Sequence, residues 1–84
     1  MSHTVEVVHR NRFVAIPGAT AVRIADNAWQ IRLPVGDAIH NTVRRKPTPE
    51  AWDDAVFAID GAETEPAMGS GIDGKHVVVT ALIF

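Results

Sequence analysis

The stretch Thr48-Pro49-Glu50-Ala51-Trp52-Asp53-Asp54-Ala55-Val56-Phe57-Ala58-Ile59-Asp60-Gly61 decides the fold, because it reads in two ways. As a helix it begins well. Thr48 is an N-cap, Pro49 takes the first helical position, where a missing N–H costs nothing, and Glu50 complements the positive end of the helix dipole. Trp52, Ala55, Val56 and Ile59 then share one stripe, and Asp60-Gly61 supplies a stop. Phe57 falls off that stripe. In the competing reading Ala55 to Ile59 is a strand closed by an Asp-Gly turn. The helical reading leads, and it sets the class as α+β.

Working toward the N-terminus, Asp37 is a candidate N-cap for a short helical turn in which Ile39 and Val43 share a face. Arg44, Arg45 and Lys46 would lie at its C-terminal end, where positive charge suits the dipole; the same residues could equally be extended. Before that, Thr20 to Ala25 and Ala28 to Leu33 flank Asp26-Asn27, both tolerant of the left-handed backbone of a two-residue hairpin loop. A tight turn there sets Ile24 opposite Trp29 and Val22 opposite Ile31, with Arg23 and Gln30 on the other face. Val5 to Val8 and Arg12 to Ile16 form an earlier hairpin about Arg10-Asn11, pairing Val8 with Phe13, and Pro17-Gly18 ends it.

Working toward the C-terminus, residues 61 to 74 carry Glu63, Glu65, Pro66 and a cluster of glycines, and read as an acidic, then flexible, loop. Lys75 to Phe84 is the last strand, apolar on both faces, so it belongs in the middle of a sheet or under cover on both sides. Residues 1 to 84 thus make one α+β domain: an antiparallel sheet of about five strands, two N-terminal hairpins plus the C-terminal strand, with one or two short helices packed on one face. So few helices cover one side of such a sheet. The other side is left as a surface for a partner or for a second copy.

The 84 residues are 46% apolar and 21% charged, a globular composition, and contain no cysteine, which removes disulfides and thiolate metal sites. The first residues lack the basic and apolar regions of a secretory signal. The longest apolar run, Val77 to Phe84, is far short of the roughly 20 residues of a membrane-spanning helix. A cytoplasmic protein without a membrane role is expected.

Several motifs fail in context. Gly69-Ser70-Gly71-Ile72-Asp73-Gly74-Lys75 has the letters of a phosphate-binding loop, but His76 replaces the hydroxyl residue and a β-branched run follows where a helix must start. Ser70, Asp73 and His76 spell a triad, yet they sit along one short loop rather than converging on it. His3, His9, His40 and His76 show no metal-ligand spacing. Asp53 and Asp54 diverge on a helix and do not share a proton. Trp29 and Trp52 fall on apolar faces and read as core rather than as stacking platforms. No catalytic residue, cofactor or metal is expected.

Charge is segregated along the chain. Residues 1–46 hold seven basic and three acidic residues, net +4, and residues 47–84 hold one basic and seven acidic, net −6, leaving −2 overall. Glu50, Asp53, Asp54, Asp60, Glu63 and Glu65 make an acidic helix-loop surface, while Arg44, Arg45 and Lys46 are the alternative, phosphate-binding group. The expectation is a small non-enzymatic protein-binding module that occupies a basic surface, as an inhibitor or antagonist of a larger nucleic-acid-handling assembly, with a homodimer through the spare apolar face. A small-ligand or nucleic-acid binder using Arg12, Arg23, Arg32, Arg44 and Arg45 is the alternative, and a small enzyme the third. Net negative charge argues against direct nucleic-acid binding.

Overall fold

Phe57 resolves the double reading of residues 48–61. In the computed structural model, which describes residues 3–34, 43–46 and 48–83, the helix α1 (Pro49–Trp52) is a single turn. Thr48 is extended and Pro49 opens the helix as expected, but the Thr48 side chain makes no capping bond. The Ala55 N–H then donates to the Trp52 carbonyl at 3.2 Å, and Phe57–Ile59 runs on as a strand. The expected helix through Ile59 is therefore corrected to its competitor. In a helix Phe57 would miss the apolar face; in a strand Phe57 and Ile59 both face inward, opposite Val7 and Val5, and both are buried. Burying one such ring stabilises by roughly 1.5–3 kcal/mol, which outweighs extending a helix through Asp and β-branched residues of low helix propensity. Asp60-Gly61 is not a helix stop but a hairpin turn, with left-handed φ of 53° and 87° that match a type I′ loop.

Among the described residues eight strands follow in chain order: β1 (Val5–His9), β2 (Arg12–Ala15), β3 (Thr20–Ala25), β4 (Ala28–Pro34), β5 (Phe57–Ile59), β6 (Ala62–Glu63), β7 (Met68–Asp73) and β8 (His76–Leu82). They form two antiparallel sheets, β2-β1-β5-β6 (sheet one) and β3-β4-β8-β7 (sheet two). Both contribute to one core, which includes Val5, Val7, Phe57 and Ile59 from the first and Ile31, Leu33, Val77 and Val79 from the second. The expected α+β arrangement, one five-stranded sheet with helices packed on a face, is overturned. The chain is mostly β, and a second sheet does the covering that helices were expected to do. Among the described residues no helix is long and apolar enough to cross a membrane.

The first hairpin matches its sequence reading. Arg10 and Asn11 both adopt left-handed φ, Val8 lies opposite Phe13, and the Ile16 N–H reaches the Val5 carbonyl. Pro17-Gly18 turns the chain, with Gly18 at φ 80° and the Ala19 N–H donating to the Ile16 carbonyl, the pattern of a type II turn. The second hairpin turns at Asp26-Asn27 as expected, but neither residue takes the expected left-handed φ, and the register differs. A bulge between Arg23 and Ala25 sets Arg23 opposite Trp29, Val22 opposite Gln30 and Ala21 opposite Ile31. This puts Ala21 in the core and Val22 on the opposite side, and leaves Val22 and Ile24 exposed. The arginine escapes burial because its guanidinium lies over the Trp29 ring, 4.6 Å from the centroid, and donates to the Asp26 carbonyl at 2.9 Å.

Residues 61–74 are also corrected, from loop to strand. β6 pairs with β5, and β7 pairs with β8 through a bulge between Met68 and Gly71, turning at Gly74-Lys75. The cause lies in β8. Its ladder groups point to both sides, and once β4 takes one side the buried polar groups of the other need a partner, which only the glycine-rich stretch supplies. β8 is central, as its two apolar faces imply, with Val77, Val79 and Ala81 buried. The helical turn expected from Asp37 lies outside the described residues except for Val43, which is buried in the core.

Candidate functional site

The two sides of sheet two differ. Its inner side carries Ala21, Ile31 and Val79 in one cross-strand row and Trp29 with Ala81 in the next, all buried. On the outer side the register aligns Val22, Gln30, Thr80 and Met68 in a single row across all four strands. Thr20, Arg32, Val78 and Gly71 form the neighbouring row, and Leu82 lies opposite Ala28. The ends of the first row are open to solvent. Val22 is 53% exposed, Met68 49%, and Ile24 beside the bulge 51%, while Gln30, Val78, Thr80 and Leu82 are half-buried. The Arg32 guanidinium pairs with the Asp73 carboxylate at 2.8 Å, so the charges flanking the row neutralise one another.

The carboxylates expected to bind a partner fall into two groups. Glu50, Asp53 and Asp54 are exposed on α1 and just beyond it; Asp60 is exposed in the β5–β6 turn, Glu63 is exposed on β6, and Glu65 is half-buried after it. The alternative cations lie against the first group. Arg45 Nη1 contacts Asp54 Oδ1 at 3.1 Å and donates to the Ala51 carbonyl, and its guanidinium sits 5.5 Å from the centre of the Trp52 ring. The Lys46 carbonyl accepts the Trp52 indole N–H at 3.0 Å. Charges far apart in sequence therefore meet in space at this corner. Arg44, with a left-handed φ of 58°, and the Lys46 side chain are exposed beside it.

Asp60 does a different job. Its Oδ2 is 2.7 Å from His3 Nδ1, its Oδ1 accepts the Thr4 N–H at 2.8 Å, and its own N–H donates to the Thr4 carbonyl at 2.9 Å. His3 in turn meets the Trp29 ring edge-to-face at 4.7 Å. One residue pair thereby ties the start of β1 to the β5–β6 turn of sheet one and to β4 of sheet two. The hydrogen bond from His3, then the Thr4 N–H, hold the Asp60 carboxyl below its ordinary value.

No family model, curated protein or solved structure matches the chain. Any reading of its role therefore rests on its own geometry.

The sequence motifs take structural places. Gly69 to Lys75 forms β7 and its turn, followed by strand β8 rather than a helix N-terminus. Asp73 and His76 face each other at the end of that hairpin, with Asp73 committed to Arg32. Trp29 and Trp52 are buried, Trp52 stacking on Phe57 at 6.1 Å. Among the described residues no group of three or more His, Cys, Asp or Glu side chains could hold a metal ion. The outward residues of the open row were not singled out in the sequence. Perfect alternation through the Asp26-Asn27 turn puts Val22 in the core, and only the bulge reverses it.

Proposed function

We propose that the chain is a non-enzymatic protein-binding module whose contact surface is the outer side of sheet two. One observation carries this reading: Val22 and Met68 are each about half exposed on one side of a sheet whose other side contributes to the core. These two residues close a row that spans four strands with Gln30 and Thr80 between them, flanked by an ion pair, a mixture of apolar and polar groups that a partner protein can cover. The exposed carboxylates Glu50, Asp53, Asp54 and Glu63 support a second contact, toward a partner with a basic surface. In that arrangement an inhibitor or antagonist of a nucleic-acid-handling assembly would use the sheet for affinity and the acids for encounter.

Affinity capture from host lysate separates the contacts. Protein recovered by the wild-type chain is expected to be lost with Val22→Lys plus Met68→Lys. It is expected to become weaker and less salt-dependent when Asp53, Asp54, Glu63 and Glu65 are neutralised together. Unchanged recovery with the sheet variant would overturn the assignment of the face, and unchanged salt dependence with the other would remove the acidic contact.

A further inference from the structure

The edge strands of the two sheets are not equally protected. β6 is two residues long, and β3 and β7 each carry a bulge, between Arg23 and Ala25 and between Met68 and Gly71. Shortness and bulges keep foreign strands off an edge. β2 has no bulge: it pairs with β1 in unbroken register from His9↔Arg12 to Glu6↔Ala15, and Arg12, Phe13 and Ala15 are exposed. Its two ends fix which backbone groups face outward. The left-handed Arg10-Asn11 turn closes on a hydrogen-bonded His9–Arg12 pair, and the Ile16 N–H donates to the Val5 carbonyl at 3.2 Å. Arg12, Val14 and Ile16 therefore turn their N–H and C=O groups toward β1, while Phe13 and Ala15 turn theirs to the open edge. Among the described residues nothing pairs with those two donors and two acceptors.

Charge indicates which strand fits there. Arg23 lies on the Trp29 ring, Arg32 pairs with Asp73 and Arg45 with Asp54, whereas among the described residues the Arg10 and Arg12 guanidinium groups have no ion-pair partner. Arg10 also holds a left-handed φ of 52°, a backbone that glycine adopts without strain. Two unpaired cations, one kept at a conformational cost, thus stand at the turn end of a strand that carries no acid. A second copy of β2 laid along this edge would add two more arginines and no carboxylate of its own.

We propose that the open edge of β2 takes up an extended acidic segment of a partner protein as an added antiparallel strand. Phe13 and Ala15 supply the backbone bonds, as in other recognition by strand addition. The incoming residue opposite Phe13 is apolar, beside a ring that is 48% exposed, and the residue opposite Arg12 is Glu or Asp, since cross-strand neighbours share one side of a sheet. The antiparallel direction places the acids after the apolar residues, at the end that passes Arg10.

The test titrates the full chain with acetyl-Thr-Val-Thr-Val-Glu-Glu-Thr-amide and follows amide nitrogen–proton spectra and hydrogen exchange. A Kd of about 0.1–1 mM is expected, in keeping with a few exposed hydrogen bonds and ion pairs, and it should rise at least about threefold between about 50 mM and about 500 mM salt. The Phe13 and Ala15 amides should gain protection from exchange. N-methylation of the second valine, whose N–H meets the Phe13 carbonyl, should weaken binding at least about tenfold, and so should reversing the order of the peptide. Arg12→Glu should lose affinity for this peptide at least about tenfold and prefer one with Lys in place of both Glu. Val22→Lys plus Met68→Lys should leave binding unchanged, because the site is separate from the outer side of sheet two. Absence of binding at about 5 mM peptide, equal binding of the reversed or N-methylated peptide, or Phe13 and Ala15 amides that stay unprotected overturns the proposal. Protection of these amides that grows with the chain's own concentration, without peptide, gives the edge to a second copy and overturns it as well.

Discussion

Thr64 offers a quantitative check on the junction that replaced the expected helix. It is the one buried polar side chain among the described residues. The Val8 N–H donates to the Val56 carbonyl, so hydrogen-bonded pairs alternate along β1 and β5 in such a way that the backbone groups of Phe57 point away from β1. On that side the Phe57 carbonyl accepts the Thr64 N–H at 2.8 Å, and the Phe57 N–H reaches the Thr64 hydroxyl at 3.2 Å, where a strand would otherwise place a carbonyl. Thr64→Val keeps the shape and deletes that acceptor. The stranded buried N–H costs about 1–3 kcal/mol, and the extra apolar group returns up to about 1 kcal/mol, for a net loss of roughly 1–2 kcal/mol. In a domain of this size that is a fall in Tm of about 5–15 °C. Thermal melts and urea titrations of the wild type, Thr64→Val and Thr64→Ala are the assay, with Ala the lowest because it also opens a small cavity. A Thr64→Val protein as stable as the wild type, or more so, would refute the claim that the hydroxyl completes the β5 ladder.

Three further outcomes follow from local geometry. Asp60 has its carboxyl value lowered by His3 and the Thr4 N–H, so its contribution is present above the ordinary carboxylate value and disappears as pH falls through the depressed one; Asp60→Asn should flatten this acid limb in urea titrations between about pH 2 and pH 5. Arg10 holds a left-handed φ of 52° without being glycine, so Arg10→Gly should raise stability or leave it unchanged, by up to about 1 kcal/mol in urea unfolding, where a turn of another type would show a loss. Trp52→Phe removes the indole N–H from the Lys46 carbonyl and shrinks a buried ring, and a loss of about 1–2 kcal/mol is expected in the same assay, against none if that indole were at the surface.

The legible parts of the fold were those in which local chemistry has one outcome. Short polar breaks between β-rich runs marked two hairpin turns, at Arg10-Asn11 and at Asp26-Asn27, although only the first takes the left-handed backbone expected of the second; two apolar faces on Lys75 to Phe84 marked a central strand. What misled was chemistry shared by two structures. Thr48-Pro49-Glu50 starts a helix whether that helix lasts one turn or three, and Asp60-Gly61 ends a helix or closes a hairpin equally well. The misfit of Phe57 was the available signal, since a fully buried aromatic has to be placed and a helix could not place it. The bulge at Arg23 has no such signal. With it the Arg23 guanidinium lies on the Trp29 ring, a contact that forms only in three dimensions, and Val22 falls opposite Gln30 instead of Ile31. Likewise the acidic residues looked separate from the basic ones until folding brought Asp54 to Arg45.

The most direct measurement is a set of amide nitrogen–proton correlation spectra of the wild-type chain titrated with the protein it captures from host lysate. Shifts are expected at Val22, Gln30, Met68 and Thr80. Spectra in which these four stay in place while the partner binds would contradict a contact surface on the outer side of sheet two.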